Sequence, residues 1–232
     1  MIRGFYSAVS GILSQQSRMD TIANNLSNVS TPGYKLQRST FSTLLYDRIN
    51  GGAGPVSMGH GAKNNGTSID MEQGDLIHTG MSYDFAIVGD GFFALGSDKK
   101  EDRVYKRDGS FQLSQAGGKT YLSDGSGRFL LGKNNQRLEV TETFCATDIG
   151  IYRFSNPYAL KPGGKNSYEA TPSSGKAEEL KDPVIKQGYL EASSVNAAEE
   201  MVQMIESSKA FSLNAKVVQT ADEMEKVINQ LR

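Results

Sequence analysis

The side chains that could do chemistry are few, and their spacing predicts no catalytic or ligand site. Gly89-Asp90-Gly91 follows an apolar run, as a dinucleotide-binding loop does. The third glycine is missing, and a second strand-like run, Phe92-Phe93-Ala94-Leu95, follows in place of a helix, so the segment reads as a turn. Neither Gly-x-x-x-x-Gly-Lys-Ser/Thr nor Gly-x-Ser-x-Gly occurs. Glu178-Glu179 and Glu199-Glu200 are paired carboxylates, the raw material of general acid–base catalysis, but adjacent carboxylates on a loop or helix are ordinarily solvated charge. His60 lies in a glycine-rich stretch and His78 after a strand-like run, each without a second ligand or acid beside it. Cys145 is the one cysteine, which forbids an internal disulfide and a thiolate zinc cage, and no basic residue nearby activates it. Three Asn-x-Ser/Thr sequons begin at Asn25, Asn28 and Asn65; the first two fall on a predicted helix and read as chance. No catalytic, cofactor or metal residue is therefore expected.

The composition points the same way. Lys and Arg number 25 against 26 Asp and Glu, so the net charge of −1 gives no positive excess for nucleic acid or an anionic membrane surface. No run approaches the ~18 apolar residues that span a bilayer. The opening Met1-Ile2-Arg3-Gly4-Phe5-Tyr6 lacks the apolar stretch of a secretory leader. With 232 residues, 38% of them hydrophobic, there is material for one large domain or two small ones, and 25 glycines predict many turns.

The elements that must carry any function lie at the two ends. Residues 1–31 contain no proline, and Ile2, Phe5, Val9, Ile12, Gln16, Met19, Ala23 and Leu26 follow alternating steps of three and four, which predicts a helix with a heptad stripe. Its other faces carry serine, glutamine and asparagine rather than Lys and Glu, which suits a helix packed on several sides by other helices. Pro32-Gly33 must end it near Thr31. From Asn196 to Leu231 there is again no Gly or Pro. Val217, Ala221, Met224, Ile228 and Leu231 form one stripe, and Met204, Phe211 and Val218 recur every seven residues. Asn196 is the expected N-cap, with Glu199 three residues on. At 1.5 Å per residue these helices run roughly 45 and 50 Å, and each needs a partner for its stripe. They are expected to pair with each other or with copies from neighbouring molecules.

Between them, short β-type runs alternate with turn signals. Asp90-Gly91, Asp108-Gly109 and Asp124-Gly125 predict three hairpins of an antiparallel sheet. Residues 50–66 and 161–182 read as loops. The fold class is therefore α+β: N- and C-terminal helices forming a coiled-coil-like helical domain (1–31 with 195–232), an extended linker (32–66), and a β-rich middle domain (67–194).

Asn24-Asn25-Leu26-Ser27-Asn28-Val29-Ser30-Thr31-Pro32-Gly33-Tyr34-Lys35 resembles the N-terminal signature of the bacterial flagellar axial proteins, the rod and hook family, with Ser27 in place of the usual alanine. Gln73-Gly74-Asp75-Leu76, Thr79-Gly80 and Asp84-Phe85-Ala86-Ile87-Val88-Gly89-Asp90-Gly91-Phe92-Phe93 are similar to its central block, with Tyr83 where leucine is common. Tyr105-Lys106-Arg107-Asp108-Gly109-Ser110-Phe111 and Gln187-Gly188-Tyr189-Leu190-Glu191-Ala192-Ser193-Ser194-Val195-Asn196 match two further blocks, with Lys106 for threonine and Ser194 for asparagine. The closing Lys216–Met224 segment agrees as well, and only about 132–185 is weakly matched. The chain is shorter than typical hook protein and has the Gly-Phe-Phe block that small rod proteins lack, so within the family it resembles the proximal and distal rod proteins, the distal one favoured.

The resemblance implies a structural subunit of the flagellar rod, the drive shaft of a bacterial basal body. It implies export through the flagellar type III apparatus, polymerisation with itself and with other rod and hook proteins, and a final place outside the cytoplasmic membrane, with no nucleic-acid partner, no membrane insertion and no cofactor. A hook-type or other axial adaptor is the alternative, and an enzyme of unknown class a distant one. The residues expected to carry assembly are Ile2, Phe5, Val9, Ile12, Met19 and Leu26 on the first helix, and Met204, Phe211, Val217, Val218, Ala221, Met224, Ile228 and Leu231 on the last. Asn24, Asn25, Leu26, Asn28, Thr31, Pro32, Gly33 and Tyr34 form the signature, whose asparagines are expected to satisfy backbone groups at the helix end. Helices with one apolar stripe are expected to be poorly ordered in a dilute monomer and to fold on assembly.

Overall fold

A run without glycine or proline behind a good cap propagates as helix, and the C-terminal segment does so: α2 spans Ala197–Gln230. In the computed structural model, which describes residues 2–51, 54–96, 103–133, 136–141 and 146–231, Asn196 is its N-cap, and its side chain accepts a hydrogen bond from the Ala198 N–H at 3.1 Å. Glu199 and Glu200 lie in the first turn, where the helix dipole favours negative charge. The N-terminal helix α1 spans Ile2–Ser27 and stops four residues short of Thr31, because the Thr31 N–H turns back to the Asn28 carbonyl at 3.1 Å ahead of Pro32. Two units follow from the contacts, one formed by residues 1–27, 37–69 and 196–232, the other by residues 28–36 and 70–195.

In the first unit α1 and α2 pack against each other antiparallel, with Asn25 meeting Glu200 and Gly11 meeting Asn214. Strands β1 (Gln37–Thr43), β2 (Tyr46–Gly51), β3 (Gly54–Gly59) and β4 (Ala62–Ile69) form two antiparallel ladders, β1 with β4 and β2 with β3. Most of the expected linker is therefore hairpin, and residues 50–66 are largely strand instead of loop. The outer ladder lies against α1. The Ser14 hydroxyl donates to the Ala62 carbonyl at 3.4 Å, the Asn64 amide donates to Ser17, and a Cβ on Gly61 would fall 2.0 Å from Ser10 Oγ. The small polar faces of α1 thus serve a helix on one side and a β-hairpin on another, where sequence reasoning expects helices all round.

The second unit holds thirteen strands among the described residues, every ladder antiparallel. They are β5 (Leu76–His78), β6 (Phe85–Val88), β7 (Phe92–Gly96), β8 (Val104–Lys106), β9 (Gln112–Ala116), β10 (Lys119–Ser123), β11 (Phe129–Leu130), β12 (Ile151–Arg153), β13 (Lys161–Gly164), β14 (Ser167–Glu169), β15 (Glu178–Glu179), β16 (Val184–Gln187) and β17 (Tyr189–Glu191). Nine of them form a sheet in the order β13-β14-β8-β7-β11-β10-β9, with β12 joining β7 to β15. β6 pairs with β16, and β5 with β17. Phe85, Ile87, Phe93, Leu95, Leu122, Leu130, Ile149 and Ile151 are fully buried at its centre, with the Phe93 and Phe111 rings edge-to-face at 5.3 Å.

One of the three Asp-Gly steps makes the expected hairpin: Asp124-Gly125 joins β10 to β11. The other two join strands that are not neighbours, Asp90-Gly91 between β6 and β7 and Asp108-Gly109 between β8 and β9. Gly109 is needed because a Cβ there would lie 1.7 Å from the Phe85 carbonyl oxygen, and Gly91, at φ +145°, because one would lie 2.5 Å from Ile151 Cγ2. Further hairpin turns are Gly117-Gly118, both at positive φ, between β9 and β10, and Lys165-Asn166, at φ +50° and +55°, between β13 and β14. Residues 161–182, read as a loop, thus carry three short strands whose Gly-, Ser- and Lys-rich composition conceals them.

Candidate assembly surface

The two stripes of α2 part company in the folded chain. Positions 200, 204, 207, 211, 214, 218 and 221, alternating in steps of four and three, are all buried or half-buried, and α1 is its principal neighbour. Met204, Phe211, Val218 and Ala221 belong to this set and are half-buried. Val217, Met224, Ile228 and Leu231 stay outside it, at 50%, 49%, 46% and 83% exposure, and Met201, Val202, Ile205, Leu213 and Val227 extend the exposed apolar strip along one half of the helix. On α1 the most buried positions are Ala8, Ser14, Thr21, Ile22 and Asn25; Val9, Ile12, Met19 and Leu26 are half-buried, and Phe5 is exposed with Tyr6 and Leu13. The Ile2 side chain lies outside the described residues. A groove of about 690 Å³ lies between Phe5 and Tyr6 on α1 and Ala221, Glu225 and Ile228 on α2.

The signature residues divide between the units. Asn25 is fully buried in the first. Its side chain copies a strand partner, accepting from the Gln37 N–H at 3.0 Å and donating to the Gln37 carbonyl at 2.8 Å, and Nδ2 also donates to Glu200 Oε2 at 2.9 Å. Asn24 is exposed and Leu26 half-buried. In the second unit the Thr31 hydroxyl donates to Asn28 Oδ1 at 3.2 Å, and the Pro32 carbonyl accepts from the Asn166 amide at 2.8 Å. Gly33 takes φ +64° with Arg107 and Asp108 backbone under 3 Å from where a Cβ would be, and Tyr34 is buried.

Three of the resembling segments meet at one buried carboxylate, which sequence reasoning does not single out. Glu191 accepts from Lys35 Nζ at 2.7 Å, from Arg107 Nε at 2.5 Å and from the Gly74 N–H at 3.0 Å, and all three charged side chains are 4% exposed or less. Burial pulls the Lys35 amine below the usual lysine range, and Glu191 opposes that pull. The available signal is charge embedded in apolar runs, as in Tyr34-Lys35, Tyr105-Lys106-Arg107 and Leu190-Glu191. Around this node, the Gln73 side chain bridges the Ile87 carbonyl and the Gly89 N–H, and the Thr79 hydroxyl donates to Asp84 at 2.6 Å. Gln73 and Thr79 thus pin turns.

The other candidates do not converge. Glu199 is exposed while Glu200 is buried, so their carboxylates point apart. Glu178 and Glu179 are exposed on β15, and the His78 ring packs edge-on against Tyr189. Cys145 lies outside the described residues. Among the described residues no cluster of His, Cys, Asp and Glu suits a metal ion, and no helix is long and apolar enough to cross a membrane.

Known proteins match from end to end. Residues 5–35 fit the family model described as flagella basal body rod protein, and residues 186–231 that of the flagellar basal body rod FlgEFG protein C-terminal region. The flagellar basal-body rod protein FlgG of Borreliella burgdorferi is 33% identical over 272 aligned residues, covering 100% of this chain and 99% of its own. That of Bacillus subtilis is 30% identical over 269, covering 100% of both. The flagellar hook protein FlgE of Helicobacter mustelae is 33% identical over 127, which is 50% of this chain and 28% of that one. The full-length match is thus to the rod proteins, and the chain belongs to the family of flagellar basal-body rod proteins FlgG.

Proposed function

We propose that copies of this chain polymerise into the rod of a flagellar basal body through the outward strip of α2. The chain is a structural subunit of the basal body and not an enzyme. The observation that carries the mode of assembly is the exposure of Val217, Met224, Ile228 and Leu231 on a helix whose opposite side already has a partner. A long apolar strip left in water favours association. A neighbour's helix laid along it would extend the α1–α2 pair into a coiled-coil-like layer, with the groove beside Phe5 and Tyr6 receiving part of it. The contact must be heterologous, since a tube grows only from interfaces that do not close on themselves.

In this reading the terminal helices are the assembly part of the chain. Because α1 and α2 already pair within one chain, neighbours bury the outward strip rather than supply the first partner for each helix. Passage through the flagellar export apparatus, contacts with other rod and hook proteins, and a final place beyond the cytoplasmic membrane belong to the same proposal, supported by the family membership.

Met224→Asp tests it. A carboxylate in the strip is expected to abolish sedimentable polymer while the second unit unfolds at the unchanged urea concentration. Polymers of normal length from this variant would refute the strip as the contact surface.

A further inference from the structure

We propose that Asn25 and Glu200 form the pair that fixes the register of α1 against α2, and thereby decides which α2 residues face outward. The inference stands whether or not the outward strip polymerises. The apolar residues on the inner side of α2, Met204, Phe211 and Val218, repeat every seven positions. A slide of seven residues, about 10 Å along the axis, replaces each by the next, so apolar packing discriminates weakly between neighbouring registers. The residues interleaved with them, Glu200, Ser207 and Asn214, are polar and share the same repeat. They differ in what they meet. Asn214 lies against Gly11, where a Cβ would fall 2.8 Å from its amide nitrogen, and the buried Ser207 hydroxyl has no hydrogen-bond partner.

Glu200 alone is charged and matched. It is 4% exposed and accepts from Asn25 Nδ2 at 2.9 Å. Asn25 is in turn fixed independently of α2, because both ends of its amide are bonded to the Gln37 backbone. In a register slipped by one heptad, Asn25 would face Ser207 and the Glu200 carboxylate would lose this donor. An ionised group buried without its partner is heavily penalised, whereas a misplaced methylene is not. A single buried polar position with a specific partner is known to set register in paired helices.

The test reads register as a distance. Spin labels on Asp20→Cys and Glu223→Cys, exposed positions that stand far apart along the axes of the two helices so that a slide changes their separation, are placed in full-length chain carrying Cys145→Ser. Their separation is measured by pulsed dipolar spectroscopy in the free chain and in labelled chain diluted into unlabelled polymer. One narrow distance is expected with Glu200, with Glu200→Gln, whose amide oxygen still accepts from Asn25, and with Ser207→Ala. A second population displaced by about 10 Å is expected in Glu200→Leu, with helix content retained by circular dichroism. Should Glu200→Leu lose helix content, Asn25→Asp, which sets two carboxylates face to face, must show the second population. A single unchanged distance in the disrupting variants overturns the proposal. So does an equal second population in Ser207→Ala, or a broad distribution in the unsubstituted chain in both settings.

Discussion

Changing Glu191 to Gln removes one charge and almost no volume, so it isolates what the buried carboxylate does. The wild-type group holds Lys35 and Arg107, with side chains 2% and 4% exposed, and also accepts the Gly74 N–H. Glutamine keeps one acceptor oxygen. Whichever way its amide turns, its NH2 faces a donor, either the Arg107 Nε–H or the Lys35 ammonium with the Gly74 N–H. Two buried cations then lack an anion. Breaking a buried pair in this way costs about 3–5 kcal/mol, and solvent screening does not reduce it at this burial. With a urea slope of about 2 kcal/mol per molar, the unfolding midpoint of the second unit should fall by about 2 M. The chain has no tryptophan, so the transition is followed by near-ultraviolet circular dichroism of the buried Tyr105, Tyr152 and Tyr168. The deficit has a pH signature. Lys35 already titrates below its unfolded value of 10.5 because it is desolvated, and loss of Glu191 removes the largest influence holding it up. Between its folded and unfolded pKa the unfolded chain binds more protons, so stability rises with pH there and the deficit of the variant should narrow as pH approaches 10.5. A midpoint within about 0.5 M of wild type, a shift of only about 1 kcal/mol, would refute the reasoning.

Two further expectations concern the same unit. Gly33→Ala forces a Cβ to 2.6 Å from the Asp108 nitrogen at φ +64°, and backbone cannot yield as a flexible side chain does, so a loss of about 2 kcal/mol or more is expected by urea titration; an unchanged midpoint would contradict the geometry. Asp124 is pushed up by burial, but the Lys106 ammonium at 2.6 Å and the Arg128 and Ser126 N–H groups outweigh this and hold its carboxyl below the usual range. Its contribution is therefore present above pH 3.8 and lost as pH falls through the folded value; Asp124→Asn should be less stable at pH 7 and converge with wild type on acidification, and parallel curves across that range would count against the pair.

The two helices were legible because their signals are local. Asn196 caps α2 with its own side chain, and the absence of Gly and Pro over the following residues does the rest. Which faces would be covered was less legible. Hydrophobicity marks Phe5, Val9 and Ile12 as a stripe, yet Ala8, Ser14 and Thr21 are more deeply buried, because small side chains allow a hairpin and a helix to come close. Turn chemistry misled at Asp90-Gly91 and Asp108-Gly109, where glycine answers a close approach between distant segments and not a two-residue hairpin. Lys35, Arg107 and Glu191 each stand in segments whose resemblance to the family was plain, but nothing local says that they share a site.

The hydrogen bonds from Asn25 to Glu200 and from Lys35 to Glu191 join residues 175 and 156 positions apart. A chain synthesised from its amino end therefore presents α1 and Lys35 before either acceptor has been added. Short-range pairs such as β9 with β10, whose partners lie within a dozen residues, can close at once, whereas these two must wait. Sequence separation here acts as a clock, and the helix pair and its outward strip come into existence only when almost the last of the chain has emerged.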